Sequence, residues 1–385
     1  MKTPDMEPRP ITLCAAGVRS IAGDHPQVLL GTVISHLVLP SAGDDYPLWD
    51  QQQKKVEAII WPADDPEKAP MDDVAFTGRD TSREGRLAEL LSDAVEQTLD
   101  HLRQQNSPSP QHLLLSLPDS RADHKKIIRH LHTLRPELTE LPLTLCSSAA
   151  LTEALQELMQ RLAQPRDANP LDCALFAGVD SSAEISLLTQ RLANDELRTV
   201  KNSQGRAAGE AAACVALVAG EYQTPRSAGV AAIHGQDEPL YENLEHGTPV
   251  GLADAARLAL TRAEFPPAAL HNVVLARAET SADEFEWLQV RKALWPVRLD
   301  ETQRKAMRRG ELDAPTPEAC QKVETLRPAL TTGDTGAAAL PLALALAAER
   351  FDFFHQHIDN SLVLYNPEGK TRLAMLLTRI PERPE

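Results

Sequence analysis

The chain lacks the cysteine pattern of a scaffold. Its five cysteines, Cys14, Cys146, Cys173, Cys214 and Cys320, include no CxxC pair and are odd in number. That argues against a disulfide framework and against a zinc ribbon. Positive charge is also scarce, with 39 Lys and Arg against 55 Asp and Glu, a formal charge of −16. Such a surface repels phosphate backbones and anionic lipid. Nucleic-acid and membrane-surface roles are therefore set aside, and solubility and basic protein partners fit better. No apolar run is long. The best candidate, Gly336 to Ala348, is interrupted by Pro341 and falls short of the ~20 residues that cross a bilayer. The N-terminus MKTPDMEPRP has no apolar stretch of the secretory kind, so the chain reads as cytoplasmic.

What is present is ample core material. The 385 residues are 42% hydrophobic, enough for two ordinary domains or one large fold of two similar halves. Residues 40–83 and 299–328 are polar, proline-bearing and aperiodic, and read as surface excursions. Elsewhere short apolar runs alternate with helical spacings. ITLCAAG (11–17) reads as a buried strand, and Leu87, Leu90, Leu91, Val95, Leu99 and Leu102 recur on one helix face. HLLLSL, LPLTLCSS, CALFAGV and ACVALVAG follow as strands, with helices at KKIIRHLHTL and from Ala149 to Leu162. SAGVAAIHG, NVVLARA, TLRPALTTG (325–333), SLVLY and TRLAMLLTRI repeat the strands. GLADAARLALTRA, FEWLQVRKAL and Gly336 to Arg350 repeat the helices. Strands alternating with helices predict an α/β fold with mostly parallel sheets. The order recurs as a βαβαβαββ half at 1–222 and another at 223–385. The third helix of each half begins with small residues and is apolar, as a helix buried between two sheets must be. The expected architecture is five-layered, α-β-α-β-α.

Several segments carry a resemblance. LTLCSSAAL (143–151), CALFAGVDSS (173–182), GRAAGEAAACVALV (205–218) and TTGDTGAAALPLALALA (331–347) resemble, in order, four motifs of the thiolase superfamily. The likeness is to the β-ketoacyl synthases, which condense acyl thioesters. It implies that Cys146 holds the nucleophile position. It also implies a histidine at the end of NVVLA, where this chain has Arg277, and another after Gly333, where it has Asp334. The family's lysine falls near Ala329, and its glycine-rich oxyanion loop is replaced by LYNPEGK (364–370).

These replacements are not conservative. Arginine does not give up its proton, and an aspartate carries negative charge toward an oxygen that itself becomes negative. If Asp334 faces Cys146 it opposes thiolate formation. An Arg277–Asp334 ion pair would instead fill and neutralise the old site. Cys146 is then expected to be vestigial, a small apolar residue at a tight junction. As a nucleophile it would sit at a helix start capped by Ser147 and Ser148.

Other motifs read more simply. EHGTPVGLADA (245–255) mimics a histidine motif, but His246 lies before the wrong helix and reads as a loop residue. His130 with His132 and His355 with His357 have close spacing, but neither pair lies on a strand that would share their face. No metal or cofactor is expected. The acidic clusters DDPEK and MDD read as solvated loop, and ETSADEFE (279–286) as a helix start that suits carboxylates.

The resemblance implies a catalytically degenerate synthase-fold protein that acts by binding protein, as a homodimer or heterodimer. Family context offers an adaptor or chaperone-like accessory of bacterial type VI secretion effectors, toward which the retained Cys146 leans. It also offers a chain-length-factor-like partner of an active synthase. The rival class is a Cys146-dependent acyltransferase, with Arg277 binding a carboxylate or phosphate.

Overall fold

Period-two alternation sorts the strand side chains onto two buried faces. In the strand Ala208–Ala219, Ala211, Ala213, Val215 and Leu217 face one core, whereas Ala212, Cys214, Ala216 and Val218 face another. A strand apolar on both faces needs cover on both. A computed structural model describes residues 8–37, 48–49, 52, 54–56, 60–61, 82–118, 122–165, 171–182, 185–199, 201–222, 227–239, 248–277, 280–297, 299–311, 318–353, 357–367 and 369–380.

The first half begins with β1 (Ile11–Ser20), α1 (Pro26–Ile34) and three short strands, β2 (Leu48–Trp49), β3 (Lys55–Val56) and β4 (Ile60–Trp61). It continues with α2 (Arg83–Gln104), β5 (Leu113–Ser116), α3 (His124–Leu134) and β6 (Leu143–Cys146). It ends with α4 (Leu151–Ala163), β7 (Cys173–Ser181), α5 (Ile185–Ala193) and β8 (Ala208–Ala219). The second half opens with β9 (Ala228–Asp237), α6 (Gly251–Arg262), β10 (Asn272–Leu275) and α7 (Ser281–Leu294). It continues through α8 (Glu301–Arg308), α9 (Glu318–Gln321), β11 (Glu324–Leu326) and α10 (Ala329–Thr332). It closes with α11 (Ala339–Glu349), β12 (Asn360–Tyr365) and β13 (Thr371–Arg379).

The duplication is explicit in the strand order. One half-sheet runs β6-β5-β7-β8-β1 and the other β11-β10-β12-β13-β9. In both, the order is third, second, fourth, fifth, first. The parallel pairs β5 with β6 and β7, and β10 with β11 and β12, also correspond. But β7-β8-β1 and β12-β13-β9 run antiparallel, so the sheets are mixed and not mostly parallel. The half-sheets join where Thr12 and Leu13 pair with Gly229 and Ala228. α2 and α3 cover the outside of one half, and α6 and α7 the outside of the other. α4 and α11 pack against strands of both halves. The five layers expected from sequence are present.

The central helices differ from the expected pair. α11 is buried along its whole length. α4 buries Leu151, Thr152, Leu155, Leu158, Met159 and Leu162, while Glu153, Glu157 and Gln160 stay exposed. Unpaired carboxylates do not enter a core, so the first-half helix keeps one polar face. No described helix is long and apolar enough to cross a membrane.

The two polar segments are less detached than their composition implies. Most of 40–83 lies outside the described residues, including DDPEK and MDD. Even so, Leu48 and Ile60 are fully buried against Leu188, Leu197 and Ala208, and β4 pairs with β8. Within 299–328, α8 buries none of its residues, but β11 is the third strand of its half-sheet and Cys320 and Val323 join the outer core. The TLRPALTTG run marks this strand, but β11 ends at Leu326 and the short helix α10, which was not anticipated, takes up Ala329–Thr332. α1 and α5 were not anticipated either.

Candidate functional site

The site forms where the carboxyl ends of parallel strands from both halves converge, the usual ligand position in open α/β sheets. β7 delivers Asp180 and Ser181. The strand β10 stops at Leu275, shorter than the NVVLARA run, so Arg277 stands beyond it. The turn after α10 delivers Asp334. Its backbone N–H donates to the carbonyl of Ala207, and Ala208 bridges to it. Gly209 makes this close approach possible, because a Cβ there would lie 2.3 Å from the carbonyl oxygen of Thr332. These groups line a polar cleft of about 390 Å³ that also takes in Ser148, Ser182, Gln190, Arg191, Arg206 and Thr280.

Arg277 and Asp334 form a buried ion pair. Both side chains are nearly inaccessible, 3% and 1% exposed, and one guanidinium nitrogen donates to both carboxylate oxygens at 3.1 and 3.2 Å. Arg191, on α5, approaches the same carboxylate at 3.5 Å. Burial pushes the Asp334 carboxyl up. Arg277, then Arg206 and Arg191, and the Gly336 N–H outweigh it and hold the group well below the usual carboxylate range. Arg206 also pairs with Asp283 across the two halves at 3.4 Å. Asp283 closes a capping box with Thr280 at the start of α7 and accepts a 2.8 Å bond from Asn366. The expected helix start at 279–286 is thus observed from Thr280, and Glu279 lies outside the described residues.

Cys146 is placed elsewhere. It ends β6, is 8% exposed, and its thiol donates to the Leu115 carbonyl at 3.6 Å. It packs in the central core, and it is not among the residues lining the cleft. The N-cap of α4 is Ala150, which has no side-chain oxygen to cap the helix. A turn closed by the Ala150 N–H on the Ser147 carbonyl separates the thiol from the first helical amides. Residues 147–150 thus lie between Cys146 and Leu151, the first residue of the helix.

In the LYNPEGK segment, the residues on either side of position 368 are tied to Arg372. Its guanidinium binds both oxygens of Glu286 at 2.8 Å and donates to the Gly369 carbonyl at 2.6 Å. All five cysteines are buried. His130 and His132 lie on α3, and His357 pairs with Asp359 at 2.6 Å. Among the described residues no group of three or more His, Cys, Asp or Glu side chains is arranged to hold a metal. His246 and His355 lie outside the described residues.

Sequence reasoning missed Asp180, Arg191, Arg206 and Asp283 as site residues. Asp180 and Arg206 sit inside the quoted motifs, but their charges gain meaning only beside Asp334. Arg191 belongs to the unanticipated α5. Asp180 accepts a 3.0 Å bond from the Ala337 N–H, and Gly336 turns beside it with φ 43°. A side chain on Gly336 would clash, with its Cβ 1.9 Å from the Asp180 carboxylate. Burial, and to a lesser extent the charge on Asp334, push Asp180 up from 3.8 to about 6. Its ionised form is thus disfavoured in the folded state, and stability falls as pH rises from the ordinary carboxylate range through about 6. Asp180→Asn is expected to stabilise the protein by about 2 kcal/mol at pH 8 and to have no comparable effect near pH 3.5. Urea titrations at the two pH values measure this. Equal effects at both would exclude the linkage.

Comparison with known proteins places this geometry in a fold. No family model matches the chain, and no curated protein matches it in sequence. Solved structures do match. The oxazolomycin ketosynthase domain OzmH KS7 of Streptomyces albus has a TM-score of 0.68 at 12% identity, covering 97% of this chain and 75% of that one. The AntDE ketosynthase complex, a type II polyketide synthase with its acyl-carrier protein AntF, gives 0.67 at 11%, covering 97% and 100%. The ketosynthase ApeO with its chain length factor ApeC, from Xenorhabdus doucetiae, gives 0.65 at 15%, covering 99% and 100%. At these identities the likeness concerns architecture, and on that ground the chain has the thiolase-like fold of ketosynthases and chain length factors.

Proposed function

We propose that this protein does not condense acyl thioesters and works by binding another protein. The observation that carries this reading is the buried Arg277–Asp334 pair, at the two positions where the resemblance implies histidines. Condensation needs groups that polarise a thioester oxygen as negative charge develops on it. Here an ionised carboxylate occupies one position, and the guanidinium at the other is held by that carboxylate. The thiol of Cys146, bonded to the Leu115 carbonyl in the core, supports the same reading.

Two settings suit such a protein. One is an adaptor or chaperone-like accessory of a bacterial type VI secretion effector, which rests on the sequence resemblance. The other is a chain-length-factor-like partner of an active ketosynthase, in keeping with the ketosynthase–chain length factor pair among the similar structures. In either setting β6 is the proposed pairing edge. It ends its half-sheet, and Leu145 on it is 43% exposed. Unpaired strand edges favour association with a second chain.

Incubation with malonyl and longer acyl thioesters, followed by intact-mass measurement, tests the central claim. No stoichiometric adduct and no malonyl-dependent carbon dioxide release are expected. An adduct lost in Cys146→Ala would replace this reading with the acyltransferase one. Co-expression with neighbouring gene products separates the two settings. A complex with a secretion effector supports the adaptor, and a complex with an active synthase supports the chain-length partner. Either complex is expected to survive Cys146→Ala.

A further inference from the structure

The helix α5 has a void on each side. Toward the cleft it presents Leu187, Gln190 and Arg191. On its other side Thr189, Leu192 and Ala193 line a groove of about 600 Å³ with Trp49 and Val56. Asp195, which follows the helix at φ 57°, lines both. Of the described α5 side chains, only Leu187 and Leu188 are buried. Leu188 anchors in the small cluster with Leu48, Ile60, Leu197 and Ala208, apart from the main cores. Elements with few buried apolar contacts open at low free energy, well below the global unfolding limit.

A polar tie from α5 to the second half is the contact between Arg191 and Asp334, 3.5 Å long. Arg191 is 24% exposed, so its guanidinium reaches water with little displacement. When Arg191 leaves, Asp334 keeps Arg277 and the Gly336 N–H. Opening therefore strands no bare carboxylate, the usual obstacle to breaking a buried pair. The groove behind α5 gives the helix room to move, and Asp195 provides a left-handed turn at its end. Such element-terminal positions serve as hinges.

We propose that α5 is a gate over the polar cleft, turning at Asp195 and latched by the Arg191–Asp334 ion pair. Ligand or partner access to Asp180, Ser182, Arg206 and Arg277 then depends on a local opening of residues 185–193. The gate does not depend on what the protein binds. It would stand even if Cys146 proved reactive.

Hydrogen exchange with mass spectrometry on the full chain tests it. Peptides covering 185–193 are expected to exchange at least about tenfold faster than those covering α4 and α11. Arg191→Ala should accelerate 185–193 further and leave α4 and α11 unchanged. Equal protection of α5 and α4 would overturn the gate. So would a uniform acceleration of all peptides in Arg191→Ala, which would make the pair a general structural contact. A second readout uses Ser181→Cys, at a cleft position 5% exposed, in a background where Cys146 and Cys320, 8% and 9% exposed, are replaced by Ala. Its maleimide labelling should quicken about tenfold in the Arg191→Ala background, in step with the local opening. An unchanged rate would count against the latch.

Discussion

Replacing Arg277 with Met is expected to destabilise the protein by about 3–5 kcal/mol, the usual cost of leaving one member of a buried ion pair alone. Asp334 is 1% exposed, so water cannot take over the lost interaction. Arg191 and Arg206 lower the Asp334 carboxyl as well, and they place the effect toward the smaller end of that range. Removing both charges, in Arg277→Met with Asp334→Asn, is expected to recover most of the loss. The pair itself is costly to desolvate, and the remaining Arg206 keeps Asp283. Chemical denaturation of the two single variants and the double gives the coupling energy directly. A double variant as unstable as the sum of the singles would mean that the two groups do not act as a pair. The acid limb carries the same information. The Asp334 carboxyl lies far below its unfolded value, so its contribution is complete above the ordinary carboxylate range and declines as pH falls below it.

Arg372→Ala is the second large effect. The side chain is 2% exposed, binds both Glu286 oxygens and closes on the Gly369 carbonyl. Its loss leaves Glu286 buried near Asp283 and Glu238. Burial already pushes the Glu286 carboxyl up, Arg372 opposes this, and those two acids add to the rise. We expect a loss of about 3–5 kcal/mol by calorimetry or denaturant at pH 7. The loss should shrink as the medium is acidified enough to protonate Glu286. A loss independent of pH would assign the effect to packing of the arginine stem. The backbone at Pro367, Gly369 and Lys370 would also loosen, visible as faster amide exchange at 369–370, because Arg372 holds their carbonyls from β13.

The sequence made the duplication legible because both faces of the core strands are apolar and the helices between them keep a 3.6-residue spacing. β8, with alternate residues in two cores, and α11, apolar on every side, show why that signal is strong. The signal failed where elements are short or thinly packed. α1 is nine residues long, and α5 buries two of its described side chains. Neither leaves a pattern that exceeds local noise. The chemistry behaved in the same way. Arg277 and Asp334 drew notice as replacements at motif positions, but Arg191, Arg206 and Asp283 are ordinary surface-type residues until the fold brings them together.

Residue order alone determined the βαβαβαββ repeat and the buried central helix α11, because periodicity is a local property, and it singled out Arg277 and Asp334 only through the resemblance. Only the tertiary structure decided that Cys146 turns into the core while Asp334 faces three guanidinium groups. Charge compensation weakens with distance and strengthens as water is excluded. It is therefore set by the packing of loops that are far apart in the chain.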